Sequence, residues 1–450
     1  MATIAFLIEH EEGHLNPTFR FARRLAARGH HLVYLGLTDG SDFVRRQGFE
    51  HVPILEDIFP PGTIRTQREM ARVGEAGEGR AAEIAAAAQA GPGSVYARSW
   101  RGVLVDEALD RTIRELRPDL FVLTSFYAPH ALVLRNRYRL PIVLLTTILR
   151  TFPKSEYAAE LGRLLMFSGE VRERFVSLLA GSGPAPRAAE LAPRILAQIL
   201  RMRELILCPR ELEVPGLSYE REPEVHYVEP NIDLERRAEG HFPWEALDPS
   251  RRLLYISLGS QSHRAGRERV AGFLRAAAEA FAHRTEWQVV LSTGGLLDES
   301  EIPKPPGGIV TSWAPQLELL RRASVVVTHA GLGTVKECIL CGVPMVVFPI
   351  DKDQPDNARR IVHHRLGVSG DLRSFSVEGI ASLVEQADRP AVRDSLERMR
   401  QRFSDAEGEG MGVRLIEELL SPPAPRAPGR SVRRGLSDPG ARTRGPVATP

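Results

Sequence analysis

The chain has 450 residues, of which 43% are hydrophobic, 26% charged and 6% aromatic. That is the composition of an ordinary globular protein of several domains, and it excludes disordered, collagen-like and membrane-spanning classes. The net charge of +2 conceals a basic tail, because after Ser421 six Arg face the single acid Asp438; the slightly acidic body excludes an electrostatic grip on nucleic acid.

Residues 3–8 form an apolar run that predicts a buried strand, followed by a loop bearing Gly13 and His14. An amphipathic helix is predicted over residues 17–28, with Asn16 as its cap, Pro17 in its first position and Gly29 as its stop. A second strand is predicted over residues 32–37, and further strands over 120–123 and 142–146, each behind a helix-like segment and a turn. This β-α-β rhythm predicts a parallel sheet. The intervening segments 59–94 and 151–193 read as irregular excursions of the kind that carry ligand-facing loops. Residues 231–249, rich in proline, read as a linker. The rhythm then restarts, with strands at 252–257, 287–292, 325–328 and 345–348 and a helix at 267–283. The resulting division is a first domain over 1–230, a second over 250–410, a terminal helix over 411–421 and a disordered tail over 422–450. Ligands of open α/β sheets bind at the carboxyl ends of strands, so both domains should point their βα loops into the cleft between them.

Three cysteines, Cys208, Cys338 and Cys341, form no disulfide framework, and Cys338 with Cys341 lacks the second ligand pair of a zinc site. Residues 1–8 lack the basic start of a secretion signal, and no apolar run reaches bilayer length. A reducing, cytoplasmic location is therefore expected.

The most informative stretch is 313–354. It contains Trp313-Ala314-Pro315-Gln316, then His329-Ala330-Gly331-Leu332-Gly333-Thr334, then Glu337, and finally Asp353-Gln354. It reads as strand, tight loop, helix. The strand delivers His329 at its end, the glycines allow close approach of backbone to a ligand, and a helix opening at Thr334 offers free amides to an anion. The arrangement suits a diphosphate, with Glu337 placed to accept from ribose hydroxyls and Trp313 able to stack on a base.

At these residues the chain resembles the signature of family 1 glycosyltransferases, the UDP-dependent enzymes of plant secondary metabolism with bacterial antibiotic, macrolide and carotenoid relatives. The resemblance implies a GT-B fold of two doubly wound, Rossmann-like domains facing across a cleft. It implies that Trp313 and Gln316 hold nucleobase and ribose, that His329 and Thr334 hold the diphosphate beside Gly331 and Gly333, that Glu337 holds the ribose, and that Asp353 and Gln354 hold the sugar hydroxyls. Ser257-Leu258-Gly259-Ser260 matches the family's second phosphate-touching turn, which adds Ser260. Where many members carry Asn, this chain has Gly333.

Gly13-His14-Leu15-Asn16-Pro17 is similar to the family's G-H-x-N-P element, which makes His14 the expected general base; an imidazole has the right affinity for an acceptor hydroxyl's proton near neutral pH. Members usually place an Asp to orient that ring after an R-P-D-L stretch. Here Arg117-Pro118-Asp119-Leu120 runs on to Thr124 and Ser125, so Thr124 is expected to stand in for the carboxylate. Asp351-Lys352-Asp353 has the form of a metal-binding pair, but its spacing to Gln354 fits sugar recognition better, and neither metal nor cofactor is expected.

The predicted activity is transfer, with inversion, of a sugar from a UDP- or dTDP-sugar to a hydroxyl of a lipophilic small molecule such as a polyketide, macrolide or carotenoid. Phe59, Tyr96, Phe126, Phe152 and Met166 are the expected acceptor lining. Two alternatives remain at this level: a catalytically weak nucleotide-sugar-binding auxiliary protein, and a nucleotide-sugar epimerase on the same fold.

Overall fold

The computed structural model describes residues 1–63, 95–166, 169–217, 222–235, 242–259 and 261–421. Ser260 and the tail 422–450, expected to be disordered, lie outside them.

Two parallel sheets organise the chain. The first has seven strands, β1 (Thr3–Leu7), β2 (His31–Gly36), β3 (Glu50–Pro53), β4 (Leu120–Thr124), β5 (Ile142–Thr146), β6 (Arg203–Ile206) and β7 (Val225–Tyr227), in the order β3-β2-β1-β4-β5-β6-β7. The second has six, β8 (Arg252–Ser257), β9 (Trp287–Ser292), β10 (Ile309–Thr311), β11 (Ala323–Thr328), β12 (Met345–Val347) and β13 (Gly367–Ser369), in the order β10-β9-β8-β11-β12-β13. The order reverses between β1 and β4 in one sheet and between β8 and β11 in the other. A doubly wound sheet opens a crevice at such a reversal, beyond the strands' carboxyl ends. His14 follows β1 and Thr124 ends β4; Gly259 follows β8 and His329 follows β11. The residues singled out for chemistry thus sit at the two crevices.

Central strands are buried on both faces, as in Leu120–Thr124, Ile142–Thr146 and Trp287–Ser292, which is why they read as continuous apolar runs rather than as alternation. The short strands β3, β6, β7, β10 and β13 carry too few residues to show any period.

Two local expectations are corrected. The first helix spans Glu12–Ala27, starting upstream of Asn16 and enclosing Pro17. The amides of His14 and Leu15 bond to the Glu11 carbonyl at 2.9 and 3.0 Å, so the turn closes early, and Pro17 removes only the amide that would have met Gly13. His14 therefore lies in the first turn of a helix rather than in a loop. The segment 151–193 is not irregular, since it holds the helices Ser155–Met166 and Gly169–Ala180 and the start of Ala188–Leu200.

Polar contacts tie the two sheets together. Lys336, on the helix Leu332–Cys341, is fully buried and donates to the carbonyls of Leu207 and Pro230, each at 2.8 Å. Arg360, on the helix Gln354–His363, makes a buried ion pair with Glu213 at 2.9 Å. The helix Met411–Leu420 lies against the first sheet's helical layer: Gly412 donates to Glu229 at 2.9 Å, Glu417 accepts twice from Arg28, and Ile416 is buried in the cluster that holds Phe21 and Leu25. No helix among the described residues is long and apolar enough to cross a membrane.

Candidate active site

The first-sheet wall is built around His14. Its Nδ1 lies 2.7 Å from the hydroxyl of Thr147, the residue after β5, and its ring meets Phe126 edge-on with centroids 5.4 Å apart. The hydroxyl on the ring is therefore Thr147 and not Thr124, whose Oγ1 is buried without a hydrogen-bond partner. The register explains the exchange. Thr124 pairs with Leu145 inside the sheet, whereas Thr147 lies just beyond its edge, where the first turn of the Glu12–Ala27 helix leans over the strand ends. When Nδ1–H donates to Thr147, Nε2 presents its lone pair to the cleft. A carboxylate would enforce that tautomer; a hydroxyl, which can donate or accept, only permits it.

Glu9, on the loop between β1 and the helix, brings its carboxylate within 3.6 Å of Nε2. Both side chains are partly open to the cleft, at 15% exposure for His14 and 28% for Glu9. Burial pushes the Glu9 carboxyl up to about 7, with Glu11 adding to the rise and Lys352 opposing it. Burial pulls His14 below the usual imidazole value, against the opposing influence of Glu11 and Asp353 and with a further lowering by Lys352. Lys352 and Asp353 belong to the second half, so the two walls face each other closely enough to couple electrostatically.

The predicted acceptor residues separate into groups. Phe126 touches His14, and Tyr96 donates its hydroxyl to the Phe126 carbonyl at 2.8 Å. Phe152 packs edge-on against Tyr157 at 5.6 Å. Phe59 does not line a pocket: it is 1% exposed, in the core cluster with Leu55, Trp100 and Val103. Met166 is 77% exposed at the end of its helix.

The second-sheet wall is built around His329. Gly259 and Gly331 both crowd its imidazole: a Cβ at Gly259 would come within 2.4 Å of Cε1, and one at Gly331 within 2.6 Å of Nε2. Gly259 also holds φ at +74°, which favours glycine. The pattern behind both glycines is thus the space needed by one ring. Burial lowers His329 to about 4 despite the neighbouring Asp351, so at neutral pH it is an uncharged hydrogen-bonding group. The helix Leu332–Cys341 opens immediately after Gly331, two residues before the expected start, which adds the free amides of its first turn. Gly333 faces open space, so a side chain could be carried there without a clash although this chain has none.

Gln316 donates through Nε2 to Glu337, and the same nitrogen lies 3.3 Å from the Thr334 hydroxyl; three predicted donor-binding residues are therefore one connected set. Trp313 is 59% exposed, with its Nε1 only 3.3 Å from where a Cβ on Gly295 would stand, so the indole lies on a bare glycine turn and is open to stacking. Gln354 accepts from the Ile350 amide at 2.8 Å through its Oε1, and Asp353 accepts from Asn357 at 2.8 Å. Asn357, which sequence reasoning passed over, also donates at 3.0 Å to the carbonyl of Ala330, itself held at φ +67°. It braces the His329 turn, and only the buried position of an amide on a polar helix hinted at that. Asp351 pairs with Arg264 at 2.5 Å, so the two carboxylates of Asp351-Lys352-Asp353 are engaged separately.

Residues 243–392 match the family model described as UDP-glucoronosyl and UDP-glucosyl transferase. The chain is 28% identical over 448 residues to demethyllactenocin mycarosyltransferase of Streptomyces fradiae, with 94% of this chain and 88% of the relative covered. It is 26% identical to oleandomycin glycosyltransferase of Streptomyces antibioticus, with 93% and 91% covered. Among solved structures, the glycotransferase of kitacinnamycin superposes with a TM-score of 0.66 at 26% identity, covering 93% of this chain and 99% of that one. The calicheamicin glycosyltransferase CalG4 superposes with a TM-score of 0.65 at 24% identity, covering 93% and 98%.

Proposed function

Since this chain belongs to the family 1 glycosyltransferases and has their GT-B fold, we propose that His14 is the base with which it transfers a sugar from a nucleoside diphosphate to a hydroxyl of a lipophilic secondary metabolite. The observation that carries this is the opposition of the two crevices. An imidazole with one nitrogen held and the other facing the cleft stands across from a helix N-terminus flanked by an uncharged His329. The acceptor hydroxyl gives its proton to His14 Nε2 as its oxygen attacks the anomeric carbon, and the bond to the diphosphate breaks on the opposite face, inverting the centre. The first-turn amides, His329 and Thr334 receive the charge that develops on the leaving diphosphate. Trp313 supports the nucleobase, Gln316 and Glu337 the ribose, and Asp353 and Gln354 the sugar hydroxyls. Phe126, Tyr96 and Phe152 offer the aromatic side of an acceptor pocket. A macrolide-type acceptor is favoured by the relatives named for demethyllactenocin and oleandomycin.

The test is a product screen by mass spectrometry, combining UDP- and dTDP-hexoses with polyketide, macrolide and carotenoid alcohols. The expected result is an acceptor heavier by one hexose residue, absent with His14→Ala. Donor binding without product from any acceptor would instead favour the auxiliary, non-catalytic reading.

A further inference from the structure

The proton that His14 accepts must leave the site before the next turnover. Thr147 is a neutral hydroxyl at 2.7 Å from Nδ1; it cannot stabilise an imidazolium as an anion would. At the place where the resembling family carries a carboxylate this chain has Thr124, whose hydroxyl makes no hydrogen bond to the ring. On the other side of the ring, however, a carboxylate is present.

We propose that Glu9 supplies the missing carboxylate from the cleft side, as a positioning residue that stabilises the protonated His14 and conducts its proton to solvent. This rests on His14 being the base. Glu9 Oε2 stands 3.6 Å from Nε2, just outside hydrogen-bond distance, so an acceptor hydroxyl can reach the nitrogen while the carboxylate remains beside it. Glu9 is the more exposed of the pair, which places it between the ring and water. Its loop follows β1 directly, so its position is set by the same strand end that positions His14.

The steps balance. The acceptor O–H bond breaks and its proton goes to Nε2, while the oxygen's electron pair forms the new bond to the anomeric carbon and the old bond's pair leaves with the diphosphate. The Nε2–H bond then breaks, the proton passes to the Glu9 carboxylate, and from the resulting carboxylic acid it is lost to water. The groups facing Glu9 suit such a transfer. Glu11 and Lys352 act on it with opposite sign, Tyr96 and Tyr127 stand near enough to sense its charge, and Asp353 faces His14 from the second half. A carboxyl raised to about 7 can both accept a proton from an imidazolium and release it near neutral pH.

The test begins without any substrate. In protein labelled with 13C in its histidine rings, the resonance missing from His14→Gln identifies His14, and its titration is followed in wild type and in Glu9→Gln. Removing the neighbouring anion should lower the His14 midpoint by about 1–3 pH units. Turnover of UDP-glucose or dTDP-glucose with a macrolactone alcohol should fall roughly ten- to hundredfold in Glu9→Gln. The UDP affinity of the opposite wall should stay unchanged. Glu9→Asp should recover part of the rate, and added formate should rescue Glu9→Ala but not His14→Ala; a merely structural loss would respond to neither. An unshifted His14 titration in Glu9→Gln overturns the proposal, and so does a shifted titration with wild-type turnover. If Glu9→Gln is wild-type while His14→Ala is inactive, the relay fails and the base stands; full turnover by His14→Ala removes both.

Discussion

Gly331→Ala isolates the role proposed for His329 in holding the donor. Gly331 has φ −61° and ψ 135°, a conformation any residue adopts, so alanine brings no backbone strain there. What it brings is a methyl group 2.6 Å from Nε2 and 3.1 Å from Cε1 of His329. Ordinary contact begins near 3.4 Å, so the ring must retreat by the better part of an ångström. A displacement of that size takes a hydrogen bond to a phosphate oxygen out of range. Losing a hydrogen bond to a charged partner costs about 1.5–3 kcal/mol, equivalent to a roughly 10- to 100-fold weaker nucleotide affinity. Gly259→Ala should lose affinity similarly and in addition lose about 1–2 kcal/mol of stability, because a non-glycine residue is strained at positive φ. Isothermal calorimetry with UDP and dTDP, paired with thermal melts, separates the two effects. Wild-type affinity in Gly331→Ala, with the fold intact, would refute the assignment of His329 to the diphosphate.

Thr147→Val should lower kcat roughly ten- to hundredfold, since it frees the ring that Thr147 holds, whereas Thr124→Val should leave kcat within about twofold and be neutral or stabilising, because it removes a buried hydroxyl with no partner; steady-state kinetics and melts on both variants decide which hydroxyl matters. Trp313→Ala should weaken nucleotide binding by about 1–3 kcal/mol through lost stacking, read by calorimetry, and unchanged affinity would make Trp313 a bystander. As the proposed base His14 works when neutral, so activity is lost as pH falls through its folded pKa; in Glu9→Gln, where the carboxyl beside it no longer titrates, burial holds that value below 6.5, so the acid limb of the residual kcat profile should lie below pH 6.5, and a midpoint above it would contradict the placement. Turnover should persist in EDTA, since amides, His329 and Thr334 can take up the diphosphate charge; loss on chelation with recovery in manganese would give Asp351 and Asp353 a metal-binding role.

Much of the second-sheet wall was legible in the chain itself. His329, Gly331, Thr334 and Glu337 fall within one strand-loop-helix unit, where spacing along the backbone becomes geometry in space with little help from elsewhere. The long strands were legible for the same local reason: a strand buried on both faces is a continuous apolar run. The short strands β3, β6, β7, β10 and β13 were not, because three or four residues carry no period, and their pairing depends on neighbours distant in the chain; β12, equally short, was legible as an apolar run.

The first-sheet wall was decided by tertiary structure. His14 and Thr147 are 133 residues apart, and what joins them is the strand order β1-β4-β5 together with a register that seals Thr124 inside the sheet. A hydroxyl has no sequence pattern that announces it as a histidine's partner, and Thr124 was indistinguishable from Thr147 until the strand ends were in place. Phe59, apolar and next to a long excursion, could not be told from a ligand-facing residue until packing placed it in the core. Glu9 was only a residue before a recognised motif; its chemistry comes from being folded over the strand end against an imidazole and opposite Lys352. The amino-acid sequence by itself determined the two parallel sheets' long strands and the strand-loop-helix unit that carries His329, because those depend on contiguous residues. Which side chains meet across the strand ends depends on sheet order and register, and those exist only once the whole chain has packed.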